Sequence, residues 1–302
     1  MKIFFSYLIF PGFLFSAVIG LIAGWVDRKV TARLQWRVGP PWYQNFVDIV
    51  KLLGKETIVP QAGRLAFLIS PYIGLLSLIL VATILGLNII SPIQSFGGDL
   101  IVVLYLLVIP AMALIIGASA SRNPLAWLGA SREMKLVLGY ELPFILSIIA
   151  AIIKSSGDIE INSIINQQMF ASNLASWSGA IAFIVALLCM QAKLGFTPFD
   201  MSEAEQEIMG GALIEYSGLP LAIFKLTKAI SLYTLPLFLI ILFWAKDLSP
   251  LFLVLKYIAI LVIIILIKNT NPRLRIDQAF KFFWGPLTLL ALIAVGLALL
   301  GK

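Results

Sequence analysis

The chain has 302 residues, of which 61% are apolar and 12% charged, with a net charge of +7. Soluble domains carry about 45–50% apolar and about 25% charged residues, so this charge cannot cover a soluble surface, and disorder, collagen and coiled coil are excluded too. There is no His and a single Cys, Cys189. Internal disulfides are impossible, and a haem, an Fe–S cluster or a zinc ion held by this chain alone is not expected. Any electrons are then carried by another subunit. No soluble basic patch suits nucleic acid. An all-α, polytopic membrane protein remains.

Long apolar stretches bounded by charge, Pro or Gly predict about eight crossings of about 20 residues each. In chain order they are Ile3–Val26, Ala66–Ile89, Leu100–Ala120, Met134–Ile153, Gly179–Phe196, Leu219–Trp244, Leu251–Ile267 and Phe282–Leu300. The first is too long for a signal peptide and is taken as uncleaved. The odd-numbered loops hold most of the Lys and Arg; the even loops and termini hold only Lys2, Lys154, Lys246 and Lys302. By the positive-inside rule both termini face outward and the polar, motif-bearing loops face the cytoplasm, in a multi-pass protein of the cell membrane. The even loops read as short or bland. Trp42 to Glu56 reads as an amphipathic helix, either lying at the headgroups or walling a partner subunit. No internal repeat or linker divides residues 1–302, so one membrane domain is expected.

Several constellations could carry chemistry. The first runs from Asp27-Arg28-Lys29 to Gln35-Trp36-Arg37-Val38-Gly39-Pro40-Pro41. Lys29, Arg33 and Arg37, four apart, would share a helix face that Gly39-Pro40-Pro41 ends. A basic cluster fixing topology is the plain reading; Asp27 and Gln35 add nothing to topology and suggest a shaped surface. Glu141, inside the fourth span, is costly unless it faces the interior or water. Alternatively it pairs with Arg132 or Lys135.

The loop after the fifth span packs Asp200, Glu203, Glu205, Glu207 and Glu215 into sixteen residues. If helical, Asp200, Glu203, Glu207 and Glu215 fall roughly on one face, where like charges would raise one another's pKa and share protons. Locally, Ser202 with Glu205 also reads as a capping box, with Asp200 as another cap. Lys225 and Lys228, three apart in the sixth span, want acidic partners or water, unless they snorkel. Arg273 and Arg275 beside Asp277 and Gln278 form either a hydrogen-bonded cluster or a plain basic loop.

These segments, in this order, resemble the membrane subunit that joins the redox and membrane arms of respiratory complex I, and its counterparts in complex-I-like membrane-bound hydrogenases. The resemblance rests on Asp27–Pro40, Arg132–Pro143, Pro198–Gly218 and Pro272–Gln278, the third being the most specific. It implies eight helices set against a peripheral NiFe-hydrogenase-like large subunit and an Fe–S small subunit, with antiporter-like membrane subunits beside them in the lipid bilayer. Fe–S clusters and, in the hydrogenase-like branch, a NiFe site belong to the partners; this chain holds no cofactor, metal or catalytic residue. Carried over, Glu141, Glu203, Glu205, Glu207 and Glu215 begin a proton pathway, and Arg33 and Arg37 lie near a quinone-receiving cavity in quinone-reducing members. Lys228 and Ala229, where those members have an acidic residue and an aromatic, and Lys225 tilt the reading to the hydrogenase-like branch.

The leading expectation is a non-redox subunit of an energy-converting hydrogenase or related oxidoreductase. It would couple electron transfer in its partners to proton or sodium movement through Glu141, Asp200–Glu215 and the Lys225–Lys228 side. The alternatives are a quinone-binding subunit of the same architecture and a stand-alone ion carrier.

Overall fold

The structure, a computed structural model, describes residues 2–61, 63–90 and 95–301, and of Lys2, Ile3, Glu205 and Gln206 the backbone only. The Lys2 and Lys302 charges used above for orientation therefore lie outside the described residues. Thirteen helices occur among the described residues: α1 (Lys2–Leu8), α2 (Phe13–Leu34), α3 (Gln44–Leu53), α4 (Arg64–Ile90), α5 (Asp99–Ala120), α6 (Pro124–Lys154), α7 (Ile161–Gln168), α8 (Trp177–Lys193), α9 (Glu205–Ile208), α10 (Gly218–Phe243), α11 (Pro250–Thr270), α12 (Ile276–Phe282) and α13 (Thr288–Leu299). Among the described residues seven segments are long and apolar enough to cross a bilayer, and α8, with 17 residues, is a shorter apolar eighth. The chain is an all-helical, multi-pass membrane protein.

Helix α10 forms the centre. Ser231 to Phe243 are buried without a break, as expected of a helix that is apolar all round. It packs against α2 and α4, and α4 pairs with α5, while α6 meets α8 and α13. At Gly20 a Cβ would lie 2.2 Å from the Ala229 carbonyl oxygen, so a glycine is what lets α2 lie directly on α10. Helices α11 and α13 stand outside, with Leu255, Val262, Leu289 and Ile293 exposed, the face expected toward lipid.

Several expected boundaries move. The first span is broken around Phe10-Pro11-Gly12, and its main helix runs on to Leu34. That helix ends before Gly39-Pro40-Pro41. Arg37 N–H donates to the Ala32 carbonyl (2.7 Å) and Trp36 N–H to that of Arg33 (3.1 Å), with Trp36 at φ +59°. This is a Schellman stop with Trp in the left-handed position. Arg37 thus lies beyond the helix and does not share a helix face with Lys29 and Arg33. Helix α6 starts ten residues before the expected Met134, so Arg132, Glu133 and Lys135 are helical rather than in a loop.

The end of the bundle away from the acidic loop is not bland. Gln168 donates to the Ile241 and Leu242 carbonyls (2.9 and 3.0 Å) and accepts from Ala245 N–H (2.9 Å), and Asn173 donates to Leu242 (3.0 Å). Lys256, deep in α11, donates to the carbonyls of Trp244, Lys246 and Asp247. These bonds satisfy the Ile241 and Leu242 carbonyls that α10 leaves open at its C-terminus, and those of the turn that follows. Buried Asp99 accepts from Ile161 N–H (2.8 Å) and ties α5 to α7.

Candidate functional site

Helices α4, α5, α6, α8 and α10 surround a cavity of about 240 Å³, roofed by the segment that follows α8. Glu133, Lys193, Glu203, Lys225 and Lys228 line it, with Ser202 and Tyr140. Ionisable groups at this depth need partners or water, and the structure supplies partners one by one.

The acidic segment is not one helix. Met201–Glu203 and Gly211–Leu213 are 3-10 turns, and α9 lasts one turn between them. The expected common face therefore does not form, and each described carboxylate meets its own partner. Asp200 accepts from Arg273 through both oxygens (2.8 and 2.6 Å). Glu203 accepts from Lys228 (2.6 Å). Glu207 pairs with Arg132 (2.5 Å) at the surface, and exposed Glu215 accepts from Asn123. The common face is thus replaced by separate pairings to α6 with its N-cap, to α10 and to the stretch before α12. The capping box fails as well: α9 has Ala204 at its N-cap and no side-chain cap, while buried Ser202 hydrogen-bonds Glu133. The Glu205 side chain lies outside the described residues.

Close approach of backbone holds this segment in place. A Cβ at Gly129 of α6 would lie 2.5 Å from the Ala212 nitrogen. Tyr216 stacks on Phe67 with centroids 4.1 Å apart. Its hydroxyl donates to the Phe67 carbonyl (3.1 Å) and meets Ser70 Oγ (3.2 Å). Burial pushes the Tyr216 phenol up to about 12, against the opposing Ser70 hydrogen bond.

Glu141 pairs with Lys193 (2.7 Å) rather than with Arg132 or Lys135. The Lys193 side chain is 3% exposed, and its ammonium lies over the Tyr140 and Phe144 rings at 4.9 and 4.8 Å. Lys228 is interior, and its accessible surface faces the cavity. Lys225 is not its paired neighbour: it is exposed at the cavity wall.

Two residues were missed in the sequence. Glu133 is buried in α6, with Glu203, Lys228 and Lys193 as charged neighbours. It precedes Glu141 by eight residues, a spacing that puts both on one side of a helix, and this was the available signal. Lys193 sits in an odd-numbered loop, where its charge reads as topology alone, although the residues around it are apolar.

The basic first loop divides in two. Asp27 is buried and accepts from Lys268 (2.7 Å), and Arg28 donates to Asn45 (2.7 Å) and Asp48 (3.1 Å) of α3. These two fasten α2 to α11 and to the amphipathic α3, which forms as expected. Lys29 is half-buried, its stem packed against Gly39. Arg33, Gln35 and Arg37 are exposed, and Trp36 is 99% exposed. Arg273 reaches out of its own loop to Asp200. Exposed Arg275, at the N-cap of α12, donates its backbone N–H to Gln278 (3.2 Å).

Comparison with known proteins places the whole chain among membrane subunits of respiratory complexes. A family model described as NADH dehydrogenase matches residues 7–299. The chain is 33% identical to a subunit of the NADH-quinone oxidoreductase of Thermomicrobium roseum, over 97% of this chain and 94% of that one. The corresponding protein of Syntrophotalea carbinolica is 30% identical over 94% and 92%. Among solved structures, a chain of the membrane-bound sulfane sulfur reductase, an archaeal respiratory membrane complex, superposes with a TM-score of 0.89. It shares 30% identity, over 99% of this chain and 100% of that chain.

Proposed function

The chain belongs to the NADH dehydrogenase family of membrane subunits, and from that premise we propose that it couples electron transfer in its partners to ion movement through the charged cavity. It is a subunit of a multi-subunit, complex-I-like respiratory oxidoreductase. The observation that carries the coupling role is the line of acid–base groups around one cavity: Glu203 on Lys228, Glu133 on Ser202, and Lys193 on Glu141. Asp200–Arg273 and the Glu203 pair share one short segment, so a charge change in a subunit above that segment is felt at both. One pKa unit is about 1.4 kcal/mol, so moving a carboxyl by two units drives a proton transfer usefully.

In this reading the ions are protons or sodium, and the route runs from Glu203 and Lys228 past Glu133 to Lys193 and Glu141. Lys225 stands exposed at the cavity wall beside this route. The partners are a hydrogenase-like large subunit, an Fe–S small subunit and antiporter-like membrane subunits, which supply the clusters. The acidic segment and the exposed Arg33–Arg37 turn face those peripheral subunits on the cytoplasmic side, and both termini face outward. Residues 1–302 act as one membrane domain. The test uses the whole complex in sealed vesicles. Glu203→Gln and Glu133→Gln are expected to keep electron transfer and to lower coupled ion movement at least about tenfold. Undiminished ion movement in both would overturn the assignment.

A second reading has a specific support: the named relatives are quinone oxidoreductase subunits. Quinone co-purifying in stoichiometric amount with the complex would favour it.

A further inference from the structure

A second cavity, of about 340 Å³, opens at the opposite end of the bundle, where α10 turns into α11. Trp244, Lys246 and Asp247 of the turn, Phe252, Leu255 and Lys256 of α11, and Ser172 line it. We propose that it binds the phosphodiester headgroup of a membrane phospholipid.

The polar half of the cavity is built from donors. Lys256 spends its ammonium on the carbonyls of Trp244, Lys246 and Asp247, which fixes the turn and leaves its charge at the cavity wall. The Lys246 ammonium, the Trp244 indole N–H and the Ser172 hydroxyl make no hydrogen bond among the described residues, and Lys246 is exposed. A phosphodiester oxygen is the partner that such a lysine, indole and hydroxyl share. Asp247 on the same wall offsets one of the two lysines, which favours a singly charged phosphodiester over a dianionic phosphate.

The apolar half gives the orientation. Phe252 and Leu255 are 51% and 52% exposed and lead from the cavity down the outer face of α11. That face carries Val262 and Leu266, also exposed. A lipid can therefore lay its chains on α11 while its headgroup enters the turn. Trp and Lys at the end of a span are the side chains expected at the membrane–water boundary.

The test takes the purified, delipidated complex and titrates it with phosphatidylglycerol, with diacylglycerol and with inorganic phosphate. The readouts are lipid retained on this subunit by native mass spectrometry and the thermal midpoint of the complex. Phosphatidylglycerol is expected to bind and stabilise. Lys246→Gln should weaken it about tenfold, and Trp244→Phe should weaken it less while keeping the ring. Lys246 is exposed and bonds no carbonyl through its side chain, so its replacement leaves the α10 cap intact. Equal binding of diacylglycerol, or unchanged binding in Lys246→Gln, would reduce the cavity to ordinary lipid contact and overturn the proposal. Inorganic phosphate protecting as well as phosphatidylglycerol would make it a free-anion site and overturn the lipid assignment.

Discussion

Lys193, in the last turn of α8, sets its ammonium 2.7 Å from the Glu141 carboxylate of α6, with 3% of its side chain exposed. Removing one member of a buried pair leaves the other uncompensated, at a cost of about 3–5 kcal/mol. Lys193→Met should therefore lower the thermal midpoint of the complex sharply. Adding Glu141→Gln should restore most of the loss, because the orphaned charge is gone. A double variant no better than Lys193→Met would show that the lysine acts through its ring contacts instead.

The Asp200–Arg273 pair fastens the acidic segment to the stretch before α12 through two parallel bonds. Lysine cannot reproduce that fork. Arg273→Lys is expected to raise hydrogen exchange across residues 196–217 and to weaken coupled ion movement. Asp200→Asn should do the same, and the double variant should add little. Unchanged exchange in both single variants would remove the pair's anchoring role.

Glu207 is half exposed and pairs with Arg132 at the surface. Such pairs contribute about 0–1 kcal/mol. Glu207→Gln should change both stability and coupling far less than Glu203→Gln, measured side by side in the same vesicles. Equal losses would mean that the proton route passes over the surface of the segment rather than through the cavity.

Tyr216 supplies a pH signature. Its phenol is held near 12 in the folded chain, above the ordinary tyrosine value of about 10. The folded state keeps the proton longer than the unfolded state, so this contribution is complete below pH 10 and lost as pH rises toward 12. Tyr216→Phe should be the less stable at pH 8, with the gap narrowing between pH 10 and 12 in thermal melts. Gly117→Ala should destabilise at every pH, since its Cβ would lie 2.1 Å from the Tyr216 hydroxyl. A gap that stays constant through pH 12 would contradict the buried phenol.

Much of this protein is legible along the chain because the bilayer imposes a local rule. Each crossing must satisfy its own backbone and present apolar side chains. That rule gave the spans, the amphipathic α3 and the exceptional status of Glu141, Asp200, Glu203 and Lys228 from composition and spacing. It could not give helix ends such as Trp36 or the start of α6, because a charged residue is as compatible with the last turns of a helix as with a loop.

Pairing was decided only by the tertiary structure. Glu203 meets Lys228 across 25 residues, Asp200 meets Arg273 across 73 and Asp27 meets Lys268 across 241. No local periodicity encodes such distances. The acidic segment looked helical by spacing, yet it breaks into short turns: its described carboxylates pair with Lys228 of α10, Arg132 and Asn123 of α6 and its N-cap, and Arg273 before α12, and Gly129 lets the backbone lie close to α6. The sequence by itself determined the spans and which residue types are expensive to bury; the packing of α6, α8 and α10 decided that Glu133 and Lys193 are among those buried, and which opposite charge, or which hydroxyl, makes each burial tolerable.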